Sequence, residues 1–290
     1  MNKVSHPFQG VLLFVSALFL FACMDTTTKY LVTHYNVLLV IAIRYITHCI
    51  LMIVLLAPSQ GMKLLQTKRT GLVIVRGASL AIASLFMGLA LQRMPVAETT
   101  AIVFLGPMLV VLFAGVFLGE RIRLFGWVAA VIGFLGVLLI VHPDSGLDTT
   151  GTIYAFVVVG ALVVYQLLSR VLVTTELTVA MLFYSAFIGS VAYGIFLPWS
   201  WYGPTPSLWD ALLFLSMGMT GGIGHFLYTA AYRHSPASLL APMNYLQLIW
   251  AGVLGWLVFN HVPDTLSIVG MCIIIMSGAI IAIKSRPIKS

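Results

Sequence analysis

Charged side chains are scarce in this chain. Asp, Glu, Lys and Arg make up 8% of 290 residues, eight acidic groups against fifteen basic ones. An ordinary soluble domain carries about 25% charged residues, so this chain has too little charge to cover a water-facing surface, and a soluble catalytic domain is excluded. Cysteine is equally sparse: Cys23, Cys49 and Cys272 all fall inside apolar runs, and an odd count so placed makes no disulfide framework. Enzyme motifs are missing too. There is no His-Glu-x-x-His, no Gly-x-Ser-x-Gly and no Gly-Lys-Ser/Thr loop, so zinc hydrolysis, serine hydrolysis and ATP-driven pumping have no support. No His, Cys and carboxylate set stands at metal-ligand spacing, so neither a metal nor another cofactor is expected.

What the chain has is apolar length, with 61% of its residues from the AVILMFWYC set. Apolar runs lie near 9–32, 36–57, 70–91, 95–118, 123–142, 151–171, 177–198, 208–231, 236–259 and 264–284. Crossing a bilayer takes about 20 apolar residues, and only a helix or a closed barrel satisfies its own backbone there. None of the runs alternates as a strand would. The expectation is an all-α polytopic membrane protein with ten transmembrane helices and the lipid bilayer as its main partner. Lys3 and the run ending Leu20-Phe21-Ala22-Cys23 imitate a cleavable signal, but the helical pattern continues past Cys23, which predicts an uncleaved first span.

The formal net charge of +7 would suggest nucleic acid in a soluble protein; here it reads as topology, and no nucleic-acid partner is expected. With the N-terminus in the cytoplasm, that side receives Lys3, Lys63, Lys68, Arg69, Arg76, Arg121, Arg123, Arg170, Arg233, Lys284, Arg286 and Lys289. The outer side receives Lys29 and Arg93, and Arg44 lies in mid-span. This bias places both termini in the cytoplasm of an inner, plasma-membrane protein.

The chain also repeats itself. Gly10 and Gly151, Lys29 and Arg170, Val32 and Val173, Thr33 and Thr174, and Pro95 and Pro236 are each 141 residues apart, with His142-Pro143-Asp144-Ser145-Gly146 between the copies. Five spans per copy is an odd number, so the copies, 1–142 and 151–290, enter the membrane with opposite orientation. Inverted repeats recur in secondary transporters, whose substrate site lies near the midplane.

Ionisable groups inside spans cost about 2.5–3.5 kcal/mol each on insertion scales and mark function by default. Asp25 and Arg44 lie about ten residues before and after the first turn, so both sit roughly 14–15 Å deep, near the middle of the core. Either they grip the charged ends of a substrate and trade a proton, or they pin two helices together; both readings stay open. Gln166 repeats Asp25 in the second copy, and Tyr184 falls one residue out of register with Arg44. Lys29 and Arg76, near span ends, read as snorkelling anchors. Glu98, a turn into the fourth span, is a first-turn carboxylate with a possible proton-entry or outer-gate role. His225, amid Gly218, Gly221, Gly222 and Gly224, is a packed residue or a proton acceptor. Asn244, Tyr245, Gln247 and Trp250 bring polar and stacking groups to the ninth span. Pro107 and Pro242 remove helical donors from Val103 and Ser238, which makes gating kinks of the fourth and ninth spans.

Several motifs resemble the EamA family of the drug/metabolite transporter (DMT) superfamily. They are Pro95-Val-Ala-Glu98, Gly106-Pro107, Gly119-Glu120-Arg121, the Phe-Leu-Gly-Val stretch ending at Val137, Ser235-Pro236-Ala237, Ala241-Pro242, and Gly270 to Gly278. Asn260-His261 departs from the Gly-Glu turn expected in the second half. The resemblance implies a transporter, not an enzyme, moving a small organic metabolite by alternating access through a central cavity between the halves. Met181-Leu-Phe-Tyr184-Ser and the Phe259 to Asp264 turn are similar to members that carry nucleoside-type metabolites such as S-adenosylmethionine. The expected substrate is amino-acid-like, nucleoside-type or aromatic, bound by Asp25, Arg44, Gln166, Tyr184, Asn244, Tyr245 and Trp250. Asp25, Glu98 and His225 are candidates for proton coupling. A channel and an intramembrane enzyme or scaffold are the alternatives, and monomer and oligomer both stay open.

Overall fold

Lipid offers no partner to a backbone N–H or C=O, so an apolar run must close its own hydrogen bonds. The computed structural model describes residues 7–118, 124–201, 205–234 and 240–284, and these hold helices and no strand. In chain order they are α1 (Pro7–His34), α2 (Val37–Gln60), α3 (Thr70–Arg93), α4 (Val96–Val103), α5 (Leu105–Leu118), α6 (Leu124–Ile140), α7 (Thr149–Leu172), α8 (Thr178–Gly194), α9 (Leu197–Ser200), α10 (Leu208–His234), α11 (Leu246–Phe259) and α12 (Thr265–Lys284). The motifs at 119–121 and 235–237 lie outside the described residues, as does Ser238.

Five stretches are long and apolar enough to cross a bilayer: Phe8–His34, Val37–Leu64, Thr70–Arg93, Thr149–Leu172 and Leu208–Tyr228. Five more apolar stretches, Val96–Val110, Ala130–Ile140, Thr178–Gly194, Met243–Phe259 and Thr265–Ser277, are shorter. At 1.5 Å per residue the longest of these rises about 26 Å, a little under the hydrocarbon thickness. Apolar side chains also face outward, as a membrane-embedded helix requires. On α6, Val131, Phe134, Leu135 and Leu138 are exposed while Val137 and Ile140 are fully buried.

Helix ends follow local chemistry. The Asn36 side chain accepts from the Leu38 N–H at 2.8 Å to start α2, Asp148 accepts from Gly151 at 2.6 Å to start α7, and Asp264 accepts from Ser267 at 2.7 Å to start α12. Each satisfies a first-turn donor that has no helical partner. The fourth predicted span is broken: α4 ends at Val103, the carbonyl that Pro107 leaves without a donor, and α5 resumes at Leu105. The ninth opens as a 3-10 turn over Ala241–Tyr245, with Pro242 in its first positions, before α11 begins.

Spatial compactness divides the chain differently from the sequence repeat. One unit comprises Met1–Thr26, Pro95–Leu147 and Ile223–Ser290, the other Thr27–Met94 and Asp148–Gly222. Each draws on both halves of the sequence. In the first unit α6 packs on α12 and α5, and α4 on α11. A Cβ on Gly136 would stand 2.8 Å from the Gly270 carbonyl oxygen, so glycine is what lets these two helix backbones approach. In the second unit α3 packs on α7 and α8, and α2 on α8. Its connections are tied by Glu176, whose carboxylate accepts the backbone N–H groups of Lys68 at 2.8 Å and Arg69 at 3.0 Å, at the start of α3. Desolvation pushes this carboxyl up, but those bonds and the Thr175 hydroxyl outweigh it and hold Glu176 below the ordinary value of 4.5.

Candidate substrate site

In the first unit, Asp25 sits in the middle of α1 and is buried. Its Oδ2 accepts from the Gln247 side-chain amide at 3.3 Å. Gln247 stands in the first turn of α11, directly after the 3-10 turn that Pro242 opens. Rings gather on the same elements. Trp250 meets the edge of Phe19 with centroids 5.1 Å apart, and buried Tyr245 packs on Phe104, the break between α4 and α5, at 5.2 Å. Asn244 accepts from the Tyr228 hydroxyl at 3.4 Å, and Tyr228 packs on Phe14. His225 lies against Phe21, centroids 4.9 Å apart. Asp25 on α1, Asn244 and Tyr245 on the 3-10 turn, and Trp250 on α11 thus belong to one unit, and Gln247 on α11 links to Asp25.

Glu98 is the third residue of α4 and only 3% exposed. Its Oε1 lies 2.7 Å from the His261 Nε2, while Oε2 is buried with no hydrogen-bond partner among the described residues. His261 follows Asn260, whose left-handed backbone (φ 53) closes α11 and turns the chain back toward α4. Asp264 in the same connection lies 3.9 Å from His142. Asn260-His261 reads in the sequence as a departed turn and as part of the Phe259 to Asp264 resemblance; a first-turn carboxylate and a histidine 163 positions away leave no local pattern to join them.

The second unit holds Arg44, Gln166 and Tyr184. Arg44 is half-buried on α2, its guanidinium carbon 5.2 Å from the Tyr45 ring centroid. The Tyr45 hydroxyl is itself bonded to Ser84 at 2.8 Å. Gln166 is half-buried on α7. Tyr184 donates to the Leu65 carbonyl at 3.3 Å, beside the α2–α3 connection, so its hydroxyl is turned toward the end of the span. Asp25 and Arg44 belong to different units.

The anchor reading of Arg76 is corrected. Arg76 is 4% exposed and does not snorkel. Its Nε donates to Ser169 at 2.6 Å, Nη1 to the Met181 carbonyl at 3.0 Å and Ser185 at 2.9 Å, and Nη2 to the Tyr165 hydroxyl at 2.7 Å. Four neutral acceptors on α7 and α8 replace the water that an anchor would reach. Lys29, partly exposed, donates to the Met94 carbonyl at 3.0 Å, at the end of α3.

Comparison with known proteins follows the same lines. The sequence profile of the EamA-like transporter family matches residues 8–142 and again 149–283. The chain is 26% identical to an S-adenosylmethionine uptake transporter of Rickettsia bellii, over 97% of this chain and 96% of that one. It is 29% identical to the pseudopaline exporter CntI of Pseudomonas aeruginosa, over 93% and 94%. A solved crystal structure aligns with a TM-score of 0.65 at 18% identity over 94% of each chain, a likeness of fold alone. With the profile matched over nearly its whole length, this integral membrane protein belongs to the EamA family of the DMT superfamily and is a small-molecule transporter.

Proposed function

We propose that the chain is a secondary transporter that moves an amino-acid-like, nucleoside-type or aromatic metabolite across the inner membrane by alternating access, with no enzymatic step. Both termini face the cytoplasm, and ten spans form two inverted repeats, 1–142 and 151–290. The observation that carries the reading is the buried Asp25 carboxylate, held by the Gln247 amide on elements that also carry Tyr245 and Trp250. A carboxylate within a span costs about 2.5–3.5 kcal/mol on insertion scales, and one that is kept marks function by default. Asp25, Arg44, Gln166, Tyr184, Asn244, Tyr245 and Trp250 bind the solute, Pro107 and Pro242 let the broken spans gate, and Asp25, Glu98 and His225 couple protons.

The repeat has support in two pairs of contacts that exchange under the 141-residue offset. Arg76 bonds Ser169, and their counterparts Met217 and Thr28 meet through the Thr28 hydroxyl and the Met217 sulfur at 3.5 Å. Gly133 approaches Ser277, and Gly136 approaches Ile274, the same two positions exchanged. The relatives that carry S-adenosylmethionine and pseudopaline support a small-molecule cargo. Asp25→Asn and Arg44→Ala should each abolish solute flux in proteoliposomes while monodisperse protein is still recovered from the membrane. Wild-type flux in both variants overturns the site assignment.

A further inference from the structure

Two arginines of the second unit, Arg44 and Arg76, lie more than a helical turn inside their spans, and they are treated in opposite ways. Arg76 spends four of its five N–H donors on Tyr165, Ser169, Met181 and Ser185, with the Tyr165 ring 4.3 Å from its guanidinium carbon. That is the acceptor set a guanidinium needs to remain charged away from water. Arg44 has nothing comparable. Among the described residues of its own unit it forms no ion pair and donates to no carboxylate, carbonyl or serine; its partner is the neighbouring Tyr45, met through the ring and a side-chain hydrogen bond.

The offset explains the difference. Ser185, an acceptor of Arg76, stands 141 residues after Arg44, and the counterpart of Arg76 is Met217. The first half therefore carries both arginines, Arg44 and Arg76, where the second carries Ser185 and the Met217 thioether. Thr28, the counterpart of Ser169, has given its hydroxyl to that sulfur. Arg44 thus corresponds to a wall of the Arg76 cage and not to the guanidinium inside it, and it stands two turns into α2, partly exposed.

We infer that Arg44 receives the carboxylate of the transported solute, so the cargo is carboxylate-bearing. This rests on the transporter reading above and narrows it. A planar guanidinium with free N–H pairs matches a carboxylate in two parallel hydrogen bonds, and such a bond weakens in the amide or in a molecule lacking the group. Nucleosides without an acid are then excluded as cargo, and zwitterionic amino-acid derivatives fit.

The test compares acids with their acid-free analogues on the purified full chain. S-adenosylmethionine is set against decarboxylated S-adenosylmethionine, and phenylalanine against phenylalaninamide, by thermal shift and by competition binding. Wild-type protein should prefer the acid of at least one pair by about tenfold or more, since 1.4 kcal/mol is tenfold. Arg44→Gln should bring the ratio of acid to analogue binding down to about one. Arg44→Lys, which keeps the charge but loses the paired geometry, should fall between. Equal binding of acid and analogue in both pairs, no binding of either acid, or equal losses for both in Arg44→Gln, overturns the inference. The wild-type comparison stands even if a variant does not fold. Failure here with saturable exchange of an uncharged nucleoside leaves the transporter reading intact, whereas that reading fails if uptake never saturates or no solute is exchanged.

Discussion

Removing Arg76 should loosen the second unit by an amount that its cage allows to be worked out. The Ser169 and Ser185 hydroxyl hydrogens are committed to the Tyr165 and Met181 carbonyls at 2.6 and 2.9 Å, so what Arg76 satisfies is their remaining acceptor capacity. Four bonds from a charged donor, at about 1.5–3 kcal/mol each, are opposed by several kcal/mol of guanidinium desolvation. Arg76→Ala also leaves a cavity among α3, α7 and α8. The expected net loss is about 2–4 kcal/mol, or roughly 5–15 °C in midpoint for a chain of this size. Arg76→Met keeps most of the volume and discards the charge, so it should lose less than Arg76→Ala. Arg76→Lys keeps a desolvated charge but cannot reach α7 and α8 together, and should be worse than Met. The chain supplies its own reporter. Cys49 is buried and Cys272 exposed, so with Cys23 and Cys272 replaced by Ser, a thiol-reactive fluorogenic dye reports exposure of Cys49 during heating in detergent. A loss below about 0.5 kcal/mol for Arg76→Ala, the range of surface changes, or wild-type stability for Arg76→Lys, would refute the reasoning.

Other outcomes follow from the same contacts. His261→Ala leaves buried Glu98 without its described partner, so the double variant Glu98→Leu with His261→Ala should unfold at a higher temperature than His261→Ala alone. Gly136→Ala drives a methyl group against the Gly270 carbonyl and should cost about 1–3 kcal/mol, read as a lower melting midpoint. Glu176 is held below its ordinary value, so its contribution is complete above pH 4.5 and is lost as pH falls through the lower folded value. Acid-induced loosening across that window should be smaller in Glu176→Gln, whose stability is already reduced at neutral pH.

Much of the helical layout was legible because it depends on local composition. The run read as 70–91 is α3, Thr70–Arg93, and the missing donor at Pro107 ends α4 at Val103 as its chemistry requires. Glu98 in a first turn was equally visible. What the sequence concealed depends on distant partners. Arg76 looked like an anchor by its position near a span end; its burial is decided by Tyr165, Ser169, Met181 and Ser185, 89 to 109 positions away. The Glu98–His261 contact and the Asp25–Gln247 contact, 222 positions apart, are hidden in the same way. Periodicity reports which side chains share a helix face, not which helix that face meets. The interleaving of both sequence halves in each compact unit is likewise a matter of packing.

The central claim is that solute crosses by exchange through a site that faces one side at a time. Counterflow measures this directly: proteoliposomes preloaded with unlabelled solute take up the labelled form, tested in turn with S-adenosylmethionine, phenylalanine and adenosine. On that claim, at least one acid should be taken up transiently above equilibrium, with a rate that saturates and depends on the preloaded solute. Uptake that stays linear with concentration and ignores the interior solute, or no protein-dependent uptake of any of the three, would contradict it.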